Sequence, residues 1–246
     1  MSAAARTIAL VVPCCNEEQR LGVADIDLLA DDKRVRLVLV DDGSTDGTLA
    51  LLRGIAARRT DVTVVALAGN VGKGEAVRAG LLAARALDPV WVGYVDADFS
   101  TPAVEMLRLI GIAEATPACN VVLGARVAML GRRITRSAFR HYTGRVFATL
   151  ASKVLGEAVY DTQCGAKLFR VGPVLDRSLA VPFRSRWAFD VELLGRLARG
   201  GFGSDTLREE PLEVWHDVQR SKRSVLSSLR ATAALWPIWR DLRGQP

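Results

Sequence analysis

The chain has 246 residues, 50% of them hydrophobic and 24% charged, which supplies a core and excludes a disordered chain. No apolar stretch approaches the roughly 18 uninterrupted residues of a spanning helix, so the sequence predicts no transmembrane protein. None of the four cysteines has metal-ligand spacing, and Cys14 and Cys15 are adjacent. This pattern predicts free thiols in a reducing cytoplasm and neither a disulfide scaffold nor a structural zinc site.

The net charge of +6 is divided unevenly, at −4 for residues 1–123 and +10 for residues 124–246. No acidic residue occurs from 124 to 156, where the cations are Arg126, Arg132, Arg133, Arg136, Arg140, Arg145 and Lys153. This basic block predicts an anionic partner, such as nucleic acid, a phosphorylated substrate or a membrane surface. The arginines are not interleaved with aromatic residues on strands, so we expect no nucleic acid partner.

The first half alternates apolar runs with helical patterns. The runs predict strands at residues 7–12, 35–40, 62–67, 91–95 and 120–123. Helices are predicted from a cap at Asp46 to about 59, from 73 to 87, and after Thr101-Pro102. This order predicts an α/β fold, a mostly parallel sheet flanked by helices, with ligands at the carboxyl ends of the strands.

The second half is less regular and rich in basic residues. Its predicted elements are helices near 134–155 and 187–199, strands near 166–170 and 205–214, and a final helix from about 224. In that last segment Val225, Leu226, Leu229, Ala233 and Trp236 follow helical spacing, with basic residues at the edges. Tryptophan beside arginine is typical of membrane interfaces. The segment therefore predicts either a peripheral membrane contact or an amphipathic helix packed on the domain.

Acidic residues follow three of the predicted strands where each one ends. They are Glu17-Glu18, Asp41-Asp42 and Asp96-Ala97-Asp98. Mutual repulsion at one sheet edge costs stability unless the carboxylates bind a cation or donor groups. Asp96 and Asp98 are separated by one residue, so on an extended strand end their side chains point the same way. They can share Mg²⁺ or Mn²⁺, with diphosphate oxygens and water completing the coordination.

Several of these segments resemble a known family. The motifs P-x-x-N-E-E (13–18), V-D-D-G-S-T-D-G-T (40–48), G-N-x-G-K-G (69–74) and D-A-D (96–98) resemble the inverting family 2 glycosyltransferases, which have the GT-A fold. The segments D-T-Q-C-G-A-K-L-F (161–169) and R-W-A-F-D-V-E-L-L (186–194) closely resemble the dolichyl-phosphate β-glucosyltransferases and their prokaryotic polyprenyl-phosphate relatives. The resemblance covers roughly residues 7–230. It implies one domain over 1–246, with a nucleotide-sugar-binding half at 1–125 and an acceptor-binding half at 126–246.

The resemblance implies an inverting, metal-dependent hexose transfer to a polyprenyl or dolichyl phosphate at the cytoplasmic face of a membrane. The expected donor is UDP-glucose, with GDP-mannose as the alternative, and the expected cofactor is Mg²⁺ or Mn²⁺. The implied nucleotide-sugar-binding residues are Pro13, Asn16, Glu17, Val40, Asp42, Lys73, Asp96 and Ala97, with Asp96 and Asp98 as metal ligands. A soluble GT-A enzyme acting on a small-molecule or saccharide acceptor remains the alternative.

An acceptor phosphate monoester is already an oxyanion near neutral pH, so the reaction needs positioning and charge neutralisation more than a general base. The catalytic candidates are Asp98, Arg126, Arg136, Arg140, Gln163 and Asp190. Arg136 and Arg140 lie one helical turn apart, which predicts that they orient the lipid phosphate or, alternatively, that they only solvate a helix. Two roles remain open for Asp190: a general base, or a structural residue at the start of a helix.

Overall fold

The computed structural model describes residues 8–135, 138–217 and 232–244, without the side chains of 138–141 and 244. The strands in these ranges are β1 (Ile8–Cys14), β2 (Val35–Asp41), β3 (Val62–Ala66), β4 (Trp91–Val95), β5 (Val121–Ala125), β6 (Arg133–Thr135), β7 (Ala166–Arg170), β8 (Leu207–Pro211) and β9 (Val214–His216). The helices are α1 (Val23–Asp31), α2 (Thr48–Ala56), α3 (Lys73–Arg85), α4 (Ala103–Ala115), α5 (Ala138–Leu155), α6 (Pro173–Leu179), α7 (Phe189–Arg199) and α8 (Leu235–Gly244). In these ranges no helix is both long and apolar enough to cross a bilayer.

Seven strands form one sheet in the order β3-β2-β1-β4-β7-β5-β8. Strand β7 is antiparallel to β4 and to β5, and the other pairings in this sheet are parallel. Strands β6 and β9 form a separate short parallel pair. The predicted α/β fold with a mostly parallel sheet is therefore confirmed.

The strands are apolar throughout because both faces of the sheet are covered. Along β1, Ile8, Leu10 and Val12 pack with α1, α2 and α4, whereas Ala9 and Val11 pack with α3, α6 and α7. A side chain buried on either face loses its contact with water, and this apolar burial is the main favourable term in folding. The sheet edge where the parallel strands end is left to the loops that follow them.

A third apolar cluster joins the helices of the second half. Ala151 of α5 and Val191 of α7 pack with Leu235, Ile238 and Leu242 of α8. The face of α8 that bears these leucines and the isoleucine is therefore packed on the domain. Packing on the domain was one of the two predicted alternatives for the final helix. The predicted start of that helix near 224 lies outside the described residues.

The boundaries of most predicted elements agree with the structure within a few residues, but helices α1 and α6 and the short strands β6 and β9 were not predicted. Helix α1 is short, and its buried residues are Ile26, Leu29 and Ala30. Helix α6 is shorter still. The N-cap of α2 is Gly47, one residue after the predicted cap Asp46, whose carboxylate accepts the Thr48 backbone N–H at 3.0 Å.

Candidate active site

The acidic strand ends meet at one edge because β2, β1 and β4 are adjacent in the sheet. Asp42 directly follows β2, and Asp96 and Asp98 follow β4. The parallel register carries all three strands toward the same edge. The predicted gathering of carboxylates at the carboxyl end of the sheet is therefore present in the structure.

Asp42 fixes the glycine-rich loop that precedes α3. Its carboxylate is buried and accepts the backbone N–H of Val71 at 2.7 Å and of Gly72 at 3.0 Å. Gly72 has a φ of +96°, and a Cβ atom there would lie 2.4 Å from Nε of Arg186. The guanidinium of Arg186 crosses this loop and donates to the side chain of Asn70. The loop is thus held between the end of β2 and the segment that leads into α7.

The loop after β1 is tied to the loop after β2. Asn16, with a φ of +54°, accepts the Thr45 backbone N–H on its side-chain oxygen at 2.8 Å. The backbone N–H of Glu17 donates to the Thr48 hydroxyl at 2.8 Å, and the Glu17 carboxylate lies 3.0 Å from Arg20. Both residues therefore order the predicted nucleotide-binding edge.

Three other residues predicted to bind the nucleotide sugar form the floor of the candidate site. Pro13 pairs with Val40 across β1 and β2. The side chains of Val40 and Ala97 are buried, and Val40 belongs to the apolar cluster under α3. A side chain buried in this way has no exposed surface for a ligand, so Val40 and Ala97 shape the backbone of the site.

Asp96 and Asp98 are partly exposed at the end of β4, and Lys73 joins them from the first turn of α3. The Lys73 ammonium lies 2.5 Å from Oδ1 of Asp96. Oδ1 of Asp98 accepts the Ser100 backbone N–H at 3.1 Å and the Ser100 hydroxyl at 2.9 Å. Two carboxylates and a cation at this edge can together bind a diphosphate and a hard divalent ion.

Gly165 lies so close to the Asp96 carboxylate that a side chain at position 165 would overlap with it. A Cβ atom on Gly165 would lie 2.2 Å from Oδ2 of Asp96. The backbone N–H of Asp96 also donates to the Gly165 carbonyl at 3.1 Å. Among the described residues no group of three or more His, Cys, Asp or Glu side chains is arranged to hold a metal. Carboxylates are hard oxygen donors, so Asp96 and Asp98 suit an ion that takes its remaining ligands from a substrate and water.

Asp190 lies at the start of α7 within a buried polar network. It accepts from the Tyr94 hydroxyl, from the Lys167 ammonium at 2.7 Å, and from Nε2 of Gln163 at 3.3 Å. Burial raises the pKa of the Tyr94 hydroxyl well above its usual value, and the negative charge of Asp190 adds to the shift. Oδ1 of Asp190 is shared by two donors and Oδ2 faces Gln163, an arrangement that supports a positioning role.

Arg126 is engaged with an acid that the sequence analysis did not select. Its Nε and Nη2 contact the two carboxylate oxygens of Asp161 at 2.7 and 2.8 Å. Burial alone would lower the pKa of the Arg126 guanidinium, but the Asp161 charge outweighs burial and raises it. The backbone N–H groups of Tyr160 and Asp161 donate in turn to the partly buried carboxylate of Glu209 on β8. Arg126 therefore has an acidic partner within the chain, and its contact with an acceptor phosphate stays a prediction.

Arg136 lies outside the described residues, and Arg140 belongs to α5 with its side chain outside the described set. Arg145, further along α5, donates to the Tyr160 carbonyl at 2.8 Å and lies 3.8 Å from the centroid of the Tyr160 ring. The basic block thus contains arginines that fix the 160–165 loop as well as the candidates for acceptor binding.

Sequence reasoning missed residues whose partners are distant along the chain. Lys167 and Tyr94 contribute to apolar strand patterns, and the sequence does not indicate that both reach Asp190. Asp161, Lys167 and Gly165 do fall within the motif D-T-Q-C-G-A-K-L-F, which was the available signal.

Comparison with known proteins identifies similar sequences. A family model described as "Glycosyl transferase family 2" matches residues 9–176. The chain is 32% identical to a dolichyl-phosphate beta-glucosyltransferase of Drosophila melanogaster, over 94% of this chain and 74% of that protein. It is 32% identical to the Homo sapiens protein of the same name, over 77% of this chain and 62% of that protein. The chain thus spans less than two thirds of the human relative.

Solved structures share the architecture. One of them is Mycobacterium tuberculosis glucosyl-3-phosphoglycerate synthase in complex with Mn²⁺, UDP and phosphoglyceric acid, at a TM-score of 0.72 and 21% identity. It matches 99% of this chain and 80% of that one. The same synthase with Mn²⁺ and UDP-glucose has a TM-score of 0.68, 20% identity, and coverage of 99% and 81%. At these identities the likeness shows the fold alone, which is the GT-A fold.

Proposed function

The chain belongs to glycosyl transferase family 2, and on that premise we propose that it transfers glucose from UDP-glucose to a polyprenyl or dolichyl phosphate with inversion at the sugar. The observation that carries the proposal is the carboxylate pair Asp96 and Asp98 beside Lys73, at the edge where β1, β2 and β4 end. The relatives at 32% identity, named dolichyl-phosphate beta-glucosyltransferases, support the acceptor class and the donor sugar.

The donor nucleotide is proposed to lie over the loops that follow β1 and β2. Asp42 is proposed to serve the ribose side of the nucleotide through the Val71 and Gly72 N–H groups that it holds, which keeps the glycine-rich loop close to the ligand. Lys73 lies at the first turn of α3, where a diphosphate is favoured by the cation and by the helix N-terminus. These residues bind and orient the sugar nucleotide before any bond changes.

Asp96 and Asp98 are the residues proposed to hold a divalent cation. A bound Mg²⁺ or Mn²⁺ would supply Lewis-acid stabilisation of the negative charge that gathers on the departing nucleoside diphosphate. Mn²⁺ in the complexes of the structural relatives supports a divalent metal in general. Asp98 is further oriented by its two hydrogen bonds from Ser100.

In the proposed reaction, an oxygen of the acceptor phosphate attacks the anomeric carbon while the bond from that carbon to the diphosphate oxygen breaks. The attacking oxygen is already ionised, so the chain need not remove a proton from it. Asp190 instead holds Gln163 at the site, and its own charge is balanced by Lys167. Arg136 and Arg140 remain the candidates that orient the incoming phosphate.

The experiment is a transfer assay with radiolabelled UDP-glucose, a divalent metal and a detergent-dispersed polyprenyl phosphate. We expect a butanol-extractable glucolipid from the wild type, a loss of at least about a hundredfold in the Asp98→Asn variant, and full activity in Asp88→Asn. Asp88 is a fully exposed surface carboxylate and serves as the matched control. Transfer only to water-soluble acceptors would establish the alternative enzyme class, and full metal-dependent activity of Asp98→Asn would show that the site lies elsewhere.

A further inference from the structure

The outward face of α8 carries a stripe of tryptophan and arginine. Trp236, Trp239 and Arg243 are spaced three and four residues apart, which places them on one side of the helix. Trp236 is 65% exposed, and its ring stacks on that of Trp239 with 5.0 Å between centroids. The Arg243 guanidinium lies 4.4 Å from the centroid of the Trp239 ring, and Arg240 is exposed one turn after Trp236. We call these four residues the tryptophan face.

Packing of α8 on the domain does not use the tryptophan face. The helix is held by Leu235, Ile238 and Leu242, which are buried against α5 and α7. Gly195 of α7 permits the closest approach, since a Cβ atom there would lie 2.4 Å from Leu242. An indole ring left largely exposed on a firmly docked helix is a common feature of surfaces that bind a partner or a membrane.

A basic cleft lies beside the C-terminal end of the tryptophan face. Its volume is about 350 Å³, and its walls include Lys153, Arg199 and Arg243, from the last turns of α5, α7 and α8. Glu157 also lines it. Single cations at helix C-termini offset the helix dipole, but three around one opening also create a positive potential that attracts an anion.

We propose that the tryptophan face and this cleft dock the protein on a bilayer that contains anionic phospholipid. The inference rests on the proposed function, because a lipid-linked acceptor requires the enzyme to work at a membrane. Indole rings are favoured at the boundary between headgroups and acyl chains, and arginine pairs with lipid phosphates. The cleft binds the phosphate of a lipid headgroup at the C-terminal end of α7. Asp190 lies at the other end of that helix, so Arg199 and Asp190 are roughly 14 Å apart along the helix axis. The cleft is therefore separate from the acceptor site.

The test is co-sedimentation of the full chain with vesicles, in the absence of any sugar nucleotide. The vesicles contain either phosphatidylcholine alone or phosphatidylcholine mixed with phosphatidylglycerol. We expect binding to the mixed vesicles, and roughly tenfold weaker partitioning for Trp236→Ala and for Arg240→Ala/Arg243→Ala. The charge-matched control Arg53→Ala/Arg58→Ala, which removes two exposed arginines at and after α2, is expected to bind like the wild type.

A second readout uses the wild type and a variant with milder, aromatic substitutions. Brominated phosphatidylcholine in the mixed vesicles is expected to quench wild-type tryptophan fluorescence, and Trp236→Phe/Trp239→Phe is expected to remove that quenching. The proposal would be overturned if the protein did not bind vesicles, or if it bound both vesicle types equally. It would also be overturned if the control variant lost as much binding as the test variants, or if quenching survived in Trp236→Phe/Trp239→Phe. Because no sugar is transferred in these assays, such a result would leave the proposed glycosyl transfer to be judged by its own experiment.

Discussion

The contact between Gly165 and Asp96 gives a sharp test of the candidate site. In Gly165→Ala the new Cβ atom would lie 2.2 Å from Oδ2 and 2.3 Å from Cγ of Asp96, far inside the contact distance of real Cβ atoms. The Gly165 backbone pairs with Asp96, so the carboxylate must give way, by roughly 1 Å. A displacement of that size at a reacting centre costs on the order of a hundredfold in rate, or ~2.7 kcal/mol of transition-state stabilisation.

The assay for Gly165→Ala is the transfer rate as a function of metal concentration, alongside the thermal unfolding midpoint. We expect a lower kcat and a higher metal requirement at a nearly unchanged midpoint. Gly111→Ala is the matched control, because Gly111 lies within α4 with no atom within 4 Å of its added Cβ. That control should retain activity and gain up to about 1 kcal/mol of stability. Full activity and an unaltered metal requirement in Gly165→Ala would refute the placement of the metal and diphosphate at Asp96.

Two further predictions concern the buried network and the donor pocket. Lys167→Met leaves Asp190 buried without its cation and should lower the free energy of unfolding by about 3–5 kcal/mol. The double variant Lys167→Met/Asp190→Asn should recover most of that lost stability. Equal urea midpoints for the single and double variants would argue against the ion pair. Cys15 is the partly exposed cysteine and contacts Asn70, and the other three cysteines are buried. Burial raises the pKa of the Cys15 thiol, and it raises the pKa of the Cys164 thiol to about 11. Iodoacetamide should therefore label Cys15 first, as followed by mass spectrometry. UDP at about ten times its Kd should slow this labelling on the order of tenfold. A labelling rate that does not change with UDP would show that Cys15 lies outside the donor pocket.

The strands of the first half could be predicted because their physics is local. Runs such as residues 35–40 are apolar at successive positions, as a strand covered on both faces must be. The acids at the ends of β2 and β4 could likewise be placed at one edge, because parallel strands end on the same side. The family motifs then narrowed the chemistry to sugar transfer.

The remaining features depend on contacts between distant segments. Nothing within Ala166–Arg170 specifies that β7 runs antiparallel between β4 and β5, since direction is set by the chain that connects it. The Arg126–Asp161 pair joins residues 35 apart, so the sequence did not indicate the acidic partner of that cation. Helix α1 has few buried positions, and its short periodic pattern was not distinguished from a loop.

The position of β7 constrains how such a protein can change over generations. Strands β4 and β5 of the first half are joined only through β7 of the second, and β8 extends the same ladder beyond β5. The first and second halves of the chain therefore cannot be exchanged by simple recombination near residue 125, because either fragment would expose unpaired strand edges. New acceptor preferences are expected to arise in the connections outside the ladder, such as residues 126–165, while the register of β7 is inherited intact.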